Sequence, residues 1–336
     1  VGSVQVASAP SPAPQPPAQV PLQVPVMSLG RTRRSESCCR LGSGSCPPLF
    51  APLTATDLRK LREAAMRHNY MALRIAIVGP GRVGTAFASR FVRAGASFRG
   101  FVGRDPEQVA QRVAAAGAGE ALSWADLRGV HVVVFTVGDG DLAATIAQAA
   151  AVGGRRCSLW LHTSGRHSLD VFQGVGQLGV RTGSLHPVLP FSGSVEGVDM
   201  RGAPAVIAGE PRSMRLLKRL AAMLELQAIE WRGVGEAGGQ GAGGEDSPSA
   251  RDRTLYHAAC ALAANGATAL FGKATELMRG AHGLDPKDGE AIVAVLMHAA
   301  VRSAVEHGAG EALSGPVRRG DSETVAQHLA VLADRN

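Results

Sequence analysis

The stretch LRIAIVGPGRVGTAFASRFVRAG, residues 73–95, joins a short apolar run, a cluster of glycines and an amphipathic segment. The apolar run predicts a buried β-strand, and residues 84–95 predict the helix that follows it. Gly79, Gly81 and Gly84 have the G-x-G-x-x-G spacing. At such a junction the first glycine permits a tight turn, the second lets the backbone approach a pyrophosphate, and the third lets the helix pack closely on the strand. The stretch therefore predicts the phosphate-binding turn of a dinucleotide-binding domain.

Beyond this turn, short apolar runs alternate with helical segments as far as residue 231. The run GVHVVVFTV is apolar enough to be a strand buried on both faces. Strands that alternate with helices predict an α/β fold with a doubly wound parallel sheet. The predicted strands cover residues 73–79, 98–103, 129–137, 158–165, 180–187, 203–209 and 227–231, and a basic helix is predicted at 211–224.

The last part of the chain has a different pattern. Glycine is abundant in residues 233–250, which predicts a flexible linker or an inserted loop. Helices are then predicted over residues 253–279, 286–307 and 321–333, and no further strand is expected. The sequence thus divides into a tail over 1–70, a Rossmann-type dinucleotide-binding domain over 71–232, the linker over 233–250, and an all-α domain over 251–336.

The tail has the composition of a segment without a core. Its first fifty residues are rich in Pro, Ser and Ala and then in Arg and Ser, so they bury too little apolar surface to offset the entropy of ordering them. Three interpretations stay open: a disordered tail, an over-long gene model, since Met71 directly precedes the first strand, or a basic targeting peptide.

The charge distribution argues against nucleic acid as a partner. The chain carries a net charge of +7, but residues 1–70 hold eight basic and three acidic side chains, which leaves the remainder nearly neutral. No basic stripe with interleaved aromatic residues is present, and no apolar run approaches the roughly 20 residues of a membrane-spanning helix. The cysteines show no metal-ligand spacing, so no metal is expected, and they favour a reduced, cytoplasmic setting unless the tail directs the protein to an organelle. These cysteines are Cys38, Cys39, Cys46, Cys157 and Cys260.

The end of the second predicted strand bears on the choice of cofactor. NAD sites usually carry an acidic residue there, which accepts a hydrogen bond from the ribose 2′-hydroxyl. Gly103 takes that position, and Asp105 comes one residue late for the role. Arg104 lies between them, and its guanidinium can hold a 2′-phosphate through paired hydrogen bonds. The sequence therefore favours NADP over NAD.

Further candidate residues lie where parallel sheets place their ligand sites, at the carboxyl ends of strands. The stretches TVGDGD, HTSG and SLHPVLPF follow the third, fourth and fifth predicted strands. His162, Thr163, Ser164 and His186 are expected around the nicotinamide end of the cofactor, although each histidine taken singly is as readily a structural loop residue. The predicted cofactor contacts are Gly79, Gly81, Arg82, Val83, Gly84, Arg104, Thr136, Val137 and Thr163.

The segment GPVRRGD, residues 315–321, places Arg318 and Arg319 just before the last helix, with Asp321 or Ser322 as its N-cap. Arginines at a helix start can bind the carboxylate or phosphate of a substrate. A solvated surface pair is an equally good interpretation. The predicted substrate-binding residues are His186, Pro187, Arg318 and Asp321.

Six segments (GPGRVGTAF, FVGRD, LHTSG, GSLHPVLPF, YHAACALAAN and GPVRRGD) occur in this order along the chain. Together they resemble the Rossmann-like proteins whose helical half is catalogued as domain of unknown function 2520, over residues 72 to about 333. One departure is Gly138, where the family usually has proline. The wider clan resembles 6-phosphogluconate dehydrogenase-like enzymes, including ketopantoate reductase, pyrroline-5-carboxylate reductase and F420-dependent NADP reductase. The resemblance implies a substrate cleft between the sheet and an all-helical domain that often forms homodimers.

The resemblance also suggests roles for polar residues in LYHAACALAANGATAL, residues 255–270. Ketopantoate reductase-like enzymes have a catalytic lysine near the start of this helix and an asparagine eight residues later, which correspond to His257 and Asn265. Eight helical residues span about 12 Å and about 80° of rotation, so both side chains can line one wall of a cleft. The implied catalytic set is His257 as proton donor to a developing oxyanion, Asn265 as hydrogen-bonding partner of the substrate, and Ser164. The alternative is a structural role for both helix residues.

The sequence therefore predicts an NADP-dependent oxidoreductase that reduces a small carbonyl or imine by hydride transfer. A ketopantoate reductase-like activity (2-dehydropantoate 2-reductase) is the most specific form of this prediction. Two alternatives stay open: a non-catalytic NADP-binding regulator, and a helical half that serves mainly for dimerisation with its cleft closed. The expected partners are a small-molecule substrate and a second copy of the chain, with no nucleic acid or membrane partner.

Overall fold

The structure of the protein, a computed structural model, describes residues 73–152, 157–191, 198–233, 248–281 and 283–334. These residues all lie in one compact unit, Pro52–Asn336. The predicted tail over residues 1–70 and most of the predicted Gly-rich linker lie outside the described residues.

The described residues form an eight-stranded sheet whose strands alternate with helices along most of its length. The strands are β1 Arg74–Val78, β2 Ser97–Val102, β3 Glu120–Ala121, β4 Val132–Phe135, β5 Leu159–His162, β6 Arg181–Pro187, β7 Pro204–Gly209 and β8 Gln227–Glu230. The helices between them are α1 Arg82–Arg93, α2 Pro106–Ala116, α3 Asp139–Val152 and α4 Pro211–Met223, with short 3₁₀ turns at Trp124–Gly129, Leu169–Phe172 and Val175–Leu178. The strand order is β3-β2-β1-β4-β5-β6-β7-β8.

Both faces of the sheet are buried, as the apolar strands predict. Along β1, Ile75 and Ile77 pack into one core with α1, α2 and α4, whereas Ala76 and Val78 pack into a second core with α3. Successive side chains of a strand point to opposite faces, so a strand covered on both faces needs a continuous apolar run. The predicted doubly wound α/β architecture is confirmed.

Two details of the sheet differ from the prediction. Strand β7 runs antiparallel to β6, whereas the other neighbouring strands are parallel. A parallel pair needs a crossover connection, usually a helix, and the described part of the β6–β7 connection contains none. Strand β3 was not predicted, because its two residues are both exposed and carry no apolar pattern.

In the C-terminal part, the described residues form helices joined by short turns and no strand, as predicted. It begins with α5 Pro248–Ala261. This helix continues without a break through a π-helical turn at Leu262–Gly266 into α6 Ala267–Arg279. The helices that follow are α7 Pro286–His307, α8 Ala309–Ala312, α9 Gly315–Arg319 and α10 Ser322–Ala333. None of the described helices is both long and apolar enough to cross a membrane.

These C-terminal helices expose many large apolar side chains. Leu255, Leu270, Val295 and Val305 are each exposed by two thirds or more. Among the described residues, Ile229 is the only exposed large hydrophobic residue that lies outside residues 248–334. The sheet thus has well-buried cores, whereas the helices present an apolar surface of the kind that marks interaction sites.

Candidate functional site

The turn between β1 and α1 has the geometry that a dinucleotide needs. Gly79 has φ +102°, and a Cβ there would lie 2.8 Å from Val137 Cγ1. At Gly84 a Cβ would collide with the carbonyl oxygen of Gly79 and lie 2.6 Å from Thr136 Oγ1. By contrast, the nearest atom to a Cβ on Gly81 is 4.0 Å away, which leaves room for a ligand beside the backbone. The space and backbone at the three glycines would admit a pyrophosphate beside Gly81, and their contacts with a cofactor stay a prediction.

The neighbouring predicted contacts support this turn. Thr136 donates its hydroxyl hydrogen bond to the Gly79 carbonyl oxygen at 2.6 Å. Helix α1 has neither a side-chain cap at Gly81 nor an acidic residue in its first turn, so its first N–H groups can face a phosphate. Arg82 is exposed at the helix start, and the Val83 side chain packs against the core. Val83 can therefore contact a cofactor only through its backbone.

The end of β2 leaves no space for a side chain at the position where NAD sites usually carry an acidic residue. A Cβ on Gly103 would lie 2.6 Å from Val109 Cγ2, so this position cannot carry a side chain without rearrangement. Asp105 instead caps α2, and its carboxylate accepts hydrogen bonds from the backbone N–H groups of Glu107 and Gln108. The Arg104 side chain is 90% exposed and pairs with Asp141 at 3.1 Å. Because exposed ion pairs contribute at most about 1 kcal/mol, a phosphate can displace this partner.

Helix α5 docks across the carboxyl end of β6 through polar side chains. Arg253 is fully buried, donates to Ser184 Oγ at 3.2 Å, and lies 4.4 Å from the ring centroid of Trp231. One turn further along α5, the Tyr256 hydroxyl is 2.8 Å from His186 Nδ1. These contacts fix the helix against the strand, so the next residue, His257, has a defined position.

Two histidines meet above the glycine of HTSG. The ring centroids of His186 and His257 are 6.3 Å apart, with an interplanar angle of 78°. A Cβ on Gly165 would lie 2.8 Å from His186 Nε2 and 3.0 Å from His257 Cδ2. The structure therefore brings together His186 and His257, which the sequence placed in separate segments, with Gly165 filling the space directly next to both rings.

Burial determines the protonation of this cluster. The pKa of His186 is lowered to about 4, mainly by burial and further by the nearby His257 and Arg253. Burial also raises the pKa of Tyr256, so its phenol keeps its proton at neutral pH. The direction of the hydrogen bond between the Tyr256 hydroxyl and His186 Nδ1 depends on the tautomer of the imidazole. His186 is thus a neutral imidazole whose Nε2 lies beside Gly165.

His162 does not line the site, which corrects the expectation that it lies beside the nicotinamide. Its side chain is fully buried and stacks on Phe172 with ring centroids 5.5 Å apart. Burial, with smaller effects from Arg253 and His167, lowers the pKa of His162 to about 3. As the last residue of β5, it points into the core, where it stays neutral.

This buried histidine predicts a pH dependence of stability. The unfolded chain takes up the His162 proton below about pH 6.5, whereas the folded chain does so only near the lowered pKa of about 3. The stability that His162 contributes is therefore complete above about pH 6.5 and is lost as the pH falls. Between about pH 7.5 and pH 5, we expect the wild type to lose about 2 kcal/mol more unfolding free energy than His162→Leu. Urea unfolding at both pH values measures this difference.

The exposed His298 of α7 provides a control for this measurement. His298→Leu should keep the wild-type dependence on pH. An identical loss of unfolding free energy in wild type and His162→Leu would show that the buried ring is not the source.

The other residues of HTSG organise the loop. Ser164 Oγ accepts hydrogen bonds from the backbone N–H groups of Arg166 and His167, each at 3.1 Å. The Thr163 N–H donates to the carbonyl oxygen of Phe135, and this residue is half-buried at the sheet edge. The hydroxyl oxygen of Ser164, predicted as catalytic, therefore accepts two hydrogen bonds from the backbone of its own loop. Thr163 directly follows β5, and its contact with the cofactor stays a prediction.

Asn265 is not brought to the histidine pair by any contact among the described residues. It lies in the π-helical turn, and its side chain is exposed. The expectation that His257 and Asn265 line one wall assumed a regular α-helix between them. A π-helical turn has i→i+5 hydrogen bonds and changes the helical phase, so the predicted rotation of about 80° does not apply.

The predicted substrate residues have different surroundings. Pro187 is buried at the end of β6, next to His186. Arg318 donates to the carbonyl oxygens of Gly310, Glu311 and Leu313, and pairs with the Glu311 carboxylate at 3.0 Å. The Asp321 carboxylate caps α10, and its hydrogen bonds from Thr324 lower its pKa. The guanidinium of Arg318 thus binds groups of its own loop, whereas a substrate-binding role needs it free. Asp321 is the N-cap of α10, as predicted.

The sequence analysis assigned no role to Arg253, Tyr256 or Gly165. A signal for two of them was present, because Arg253, Tyr256, His257 and Cys260 recur at helical spacing and share one face of α5. Gly165 had no such signal, since its importance comes from two side chains that are distant in sequence.

Comparisons with known proteins agree with this architecture. Residues 247–336 match the family model described as Domain of unknown function (DUF2520), and a comparison with curated proteins gives no match. A provisionally named NADP oxidoreductase from Bacteroides fragilis is similar in structure, with a TM-score of 0.60, 19% identity, and coverage of 79% of this chain and 93% of that one. The predicted resemblance of the helical half and the predicted two-part fold are confirmed.

Two other solved structures are similar with TM-scores below that of the Bacteroides fragilis protein. A pyrroline-5-carboxylate reductase from Coxiella burnetii has a TM-score of 0.47 at 15% identity and covers 78% of this chain and 90% of that one. A reductive aminase from Aspergillus terreus, in complex with NADPH and ethyl-5-oxohexanoate, has a TM-score of 0.48 at 17% identity and covers 68% and 73%.

Proposed function

We propose that this protein is an NADP-dependent oxidoreductase that reduces a small carbonyl or imine by hydride transfer. The observation that carries the proposal is the pair of histidines, His186 and His257, next to Gly165. Gly165 follows β5 and His186 lies at the carboxyl end of β6, while His257 reaches them from α5. The glycine-rich turn lies at the carboxyl end of β1 in the same sheet. In open α/β sheets ligands bind along this edge, so one bound dinucleotide can reach from the turn to the histidines.

The residues of the turn and of the β2 end would hold the cofactor. The N–H groups at the start of α1, beside Gly81, would bind the pyrophosphate, and Arg104 would bind the 2′-phosphate. Thr136, Val137 and Thr163 would flank the nicotinamide. When bound, NADPH supplies the hydride.

His257 would supply the proton. His257 is half-buried and lies next to His186, which burial keeps neutral. A substrate oxygen or nitrogen near Gly165 would therefore contact two imidazoles with different roles. His186 would orient the substrate atom through Nε2, and His257 would transfer a proton to that atom as hydride arrives. General acid catalysis of this kind contributes about 10²- to 10⁴-fold in rate.

The cofactor assignment predicts the effect of Arg104→Gln. Loss of charge-assisted hydrogen bonds to the 2′-phosphate should weaken NADPH binding about 10- to 100-fold and leave NADH binding unchanged. Fluorescence titration with both cofactors measures the two affinities. Arg99→Gln is the matched control, because Arg99 is on the same strand and pairs with the exposed Glu120. An equal loss for both cofactors in Arg104→Gln would rule out the assignment.

A ketopantoate reductase-like activity is one candidate within the proposed class, and a cyclic imine is another. A screen of 2-keto acids and cyclic imines with NADPH separates them. The free thiols of Cys157 and Cys260 suit a reducing compartment, which supports a cytoplasmic setting for the reaction.

We also propose that a second copy of the chain covers the apolar helices. Val295 and Leu296 of α7 and Leu270 of α6 are all more than half exposed, and burying such side chains stabilises an interface. The double change Val295→Glu and Leu296→Glu should therefore convert a homodimer into a monomer, measured by light scattering. Lys273→Gln, an exposed site on α6, should leave the mass unchanged. A monomeric wild type would refute this proposal.

A further inference from the structure

A second cavity opens at the opposite edge of the sheet, next to the first residue of β6. It has a volume of about 610 Å³ and is lined by Arg181, Arg212, Arg215 and Arg219 together with Pro211 and Leu216. We call it the arginine pocket. Arg181 and His186 are the first and sixth residues of β6, so the pocket is about 17 Å along the strand from the histidine pair. It is therefore separate from the proposed cofactor and substrate site.

Arg212 and Arg215 of the arginine pocket have no carboxylate partner among the described residues. Arg181 donates from Nε to the Ser158 carbonyl oxygen at 2.9 Å and from Nη1 to the Arg212 carbonyl oxygen at 2.8 Å, which fixes its guanidinium without removing its charge. The guanidinium groups of Arg212 and Arg215 make no hydrogen bond or ion pair with a described residue. The contrast on the same helix is Lys218, which pairs with Glu230.

Helix α4 adds to the positive potential. Arg212 and Arg215 lie near its N-terminus, where the helix dipole is positive and favours acidic side chains. The first turn contains no acidic residue, and the Glu210 side chain makes no capping hydrogen bond. Cations therefore repel each other at a helix end that also disfavours them. An arrangement that breaks a local rule without a compensating contact in the fold points to a role outside folding.

We propose that the arginine pocket binds a phosphorylated small molecule through two adjacent phosphate groups. Planar guanidinium groups match phosphate oxygens with paired hydrogen bonds, and a cluster of them suits a diphosphate better than a single phosphate. The volume lies within the range of small-molecule sites. Pro211 and Leu216 provide an apolar side for the carbon part of such a ligand. The proposal does not depend on the proposed reductase activity.

Calorimetric titration of the full chain with pyrophosphate at about physiological salt tests the pocket. Because pyrophosphate can also enter the glycine-rich turn, the variants distinguish the two sites. The double change Arg212→Gln and Arg215→Gln should weaken binding at least about tenfold, which is 1.4 kcal/mol. Lys218→Gln on the same helix should leave it unchanged. Both altered arginines are exposed, so thermal unfolding should show an intact fold.

Three outcomes would overturn the proposal. They are no binding of pyrophosphate by the wild type, equal binding by the double variant, and tighter binding of an RNA oligonucleotide than of pyrophosphate through the same arginines. Orthophosphate provides the comparison for ligand size, and it should bind more weakly than pyrophosphate to the wild type.

Discussion

Gly165→Ala is expected to lower kcat/KM for NADPH-dependent reduction by about 100-fold, because a displacement of about 1 Å in a catalytic group has effects of this size. The added methyl group would lie 2.8 Å from His186 Nε2, 2.9 Å from His186 Cε1 and 3.0 Å from His257 Cδ2. Both rings must move, which changes their positions relative to each other and to a substrate. The fold should tolerate the change, since Gly165 does not have a positive φ.

Steady-state kinetics and NADPH titration of Gly165→Ala separate catalysis from binding. NADPH affinity should stay near that of the wild type, because the glycine-rich turn is far from the altered atom. Gly129→Ala is the matched control, as no atom lies within 4 Å of its added Cβ. Wild-type kcat/KM in Gly165→Ala would mean that the reaction does not take place between the two histidines.

His257→Gln should lower kcat by about 10²- to 10⁴-fold, the range expected when a general acid is removed. Glutamine keeps a polar side chain of similar reach on α5 but cannot transfer a proton. NADPH affinity is expected to be unchanged, since the loss is in the chemical step.

Two further variants give this experiment its controls. His298→Gln changes an exposed histidine of α7 and should leave kcat unaltered. Tyr256→Phe removes the hydrogen bond to His186 Nδ1 and should have a smaller effect than His257→Gln, because it disturbs the orientation of His186 and leaves the proton donor in place. If His257→Gln has the kcat of the wild type, His257 has only a structural role.

Local patterns explain why the glycine-rich turn and most strands could be predicted from the sequence. The spacing of Gly79, Gly81 and Gly84 directly after an apolar run is a local signal, although the atoms that crowd the turn come largely from Thr136 and Val137 after β4. Asp321 as the N-cap of α10 is likewise a local signal. Strand β3 lacked an apolar pattern because it is a short, exposed edge strand.

Contacts between distant segments could not be predicted in the same way. The antiparallel direction of β7 depends on the connection before it. The side of the helix on which Asn265 lies depends on a π-helical turn, which no residue pattern marks. The sequence did not show that the Arg318 guanidinium is engaged, because three of its hydrogen bonds go to backbone carbonyl groups, which every sequence contains. The meeting of His186, Tyr256 and His257 requires the docking of α5 on β6, and only the folded chain brings those rings together.

The central claim is that hydride is transferred from NADPH to a carbonyl or imine carbon at the site next to His186 and His257. Its most direct test is mass spectrometry of the products formed from 2-keto acids and cyclic imines with NADPH deuterated at C4 of the nicotinamide. The account predicts one transferred deuterium in the reduced form of at least one of these compounds, and a large loss of that product with His257→Gln. NADPH that binds while neither class is reduced by the wild type would contradict the account and favour a non-catalytic NADP-binding regulator.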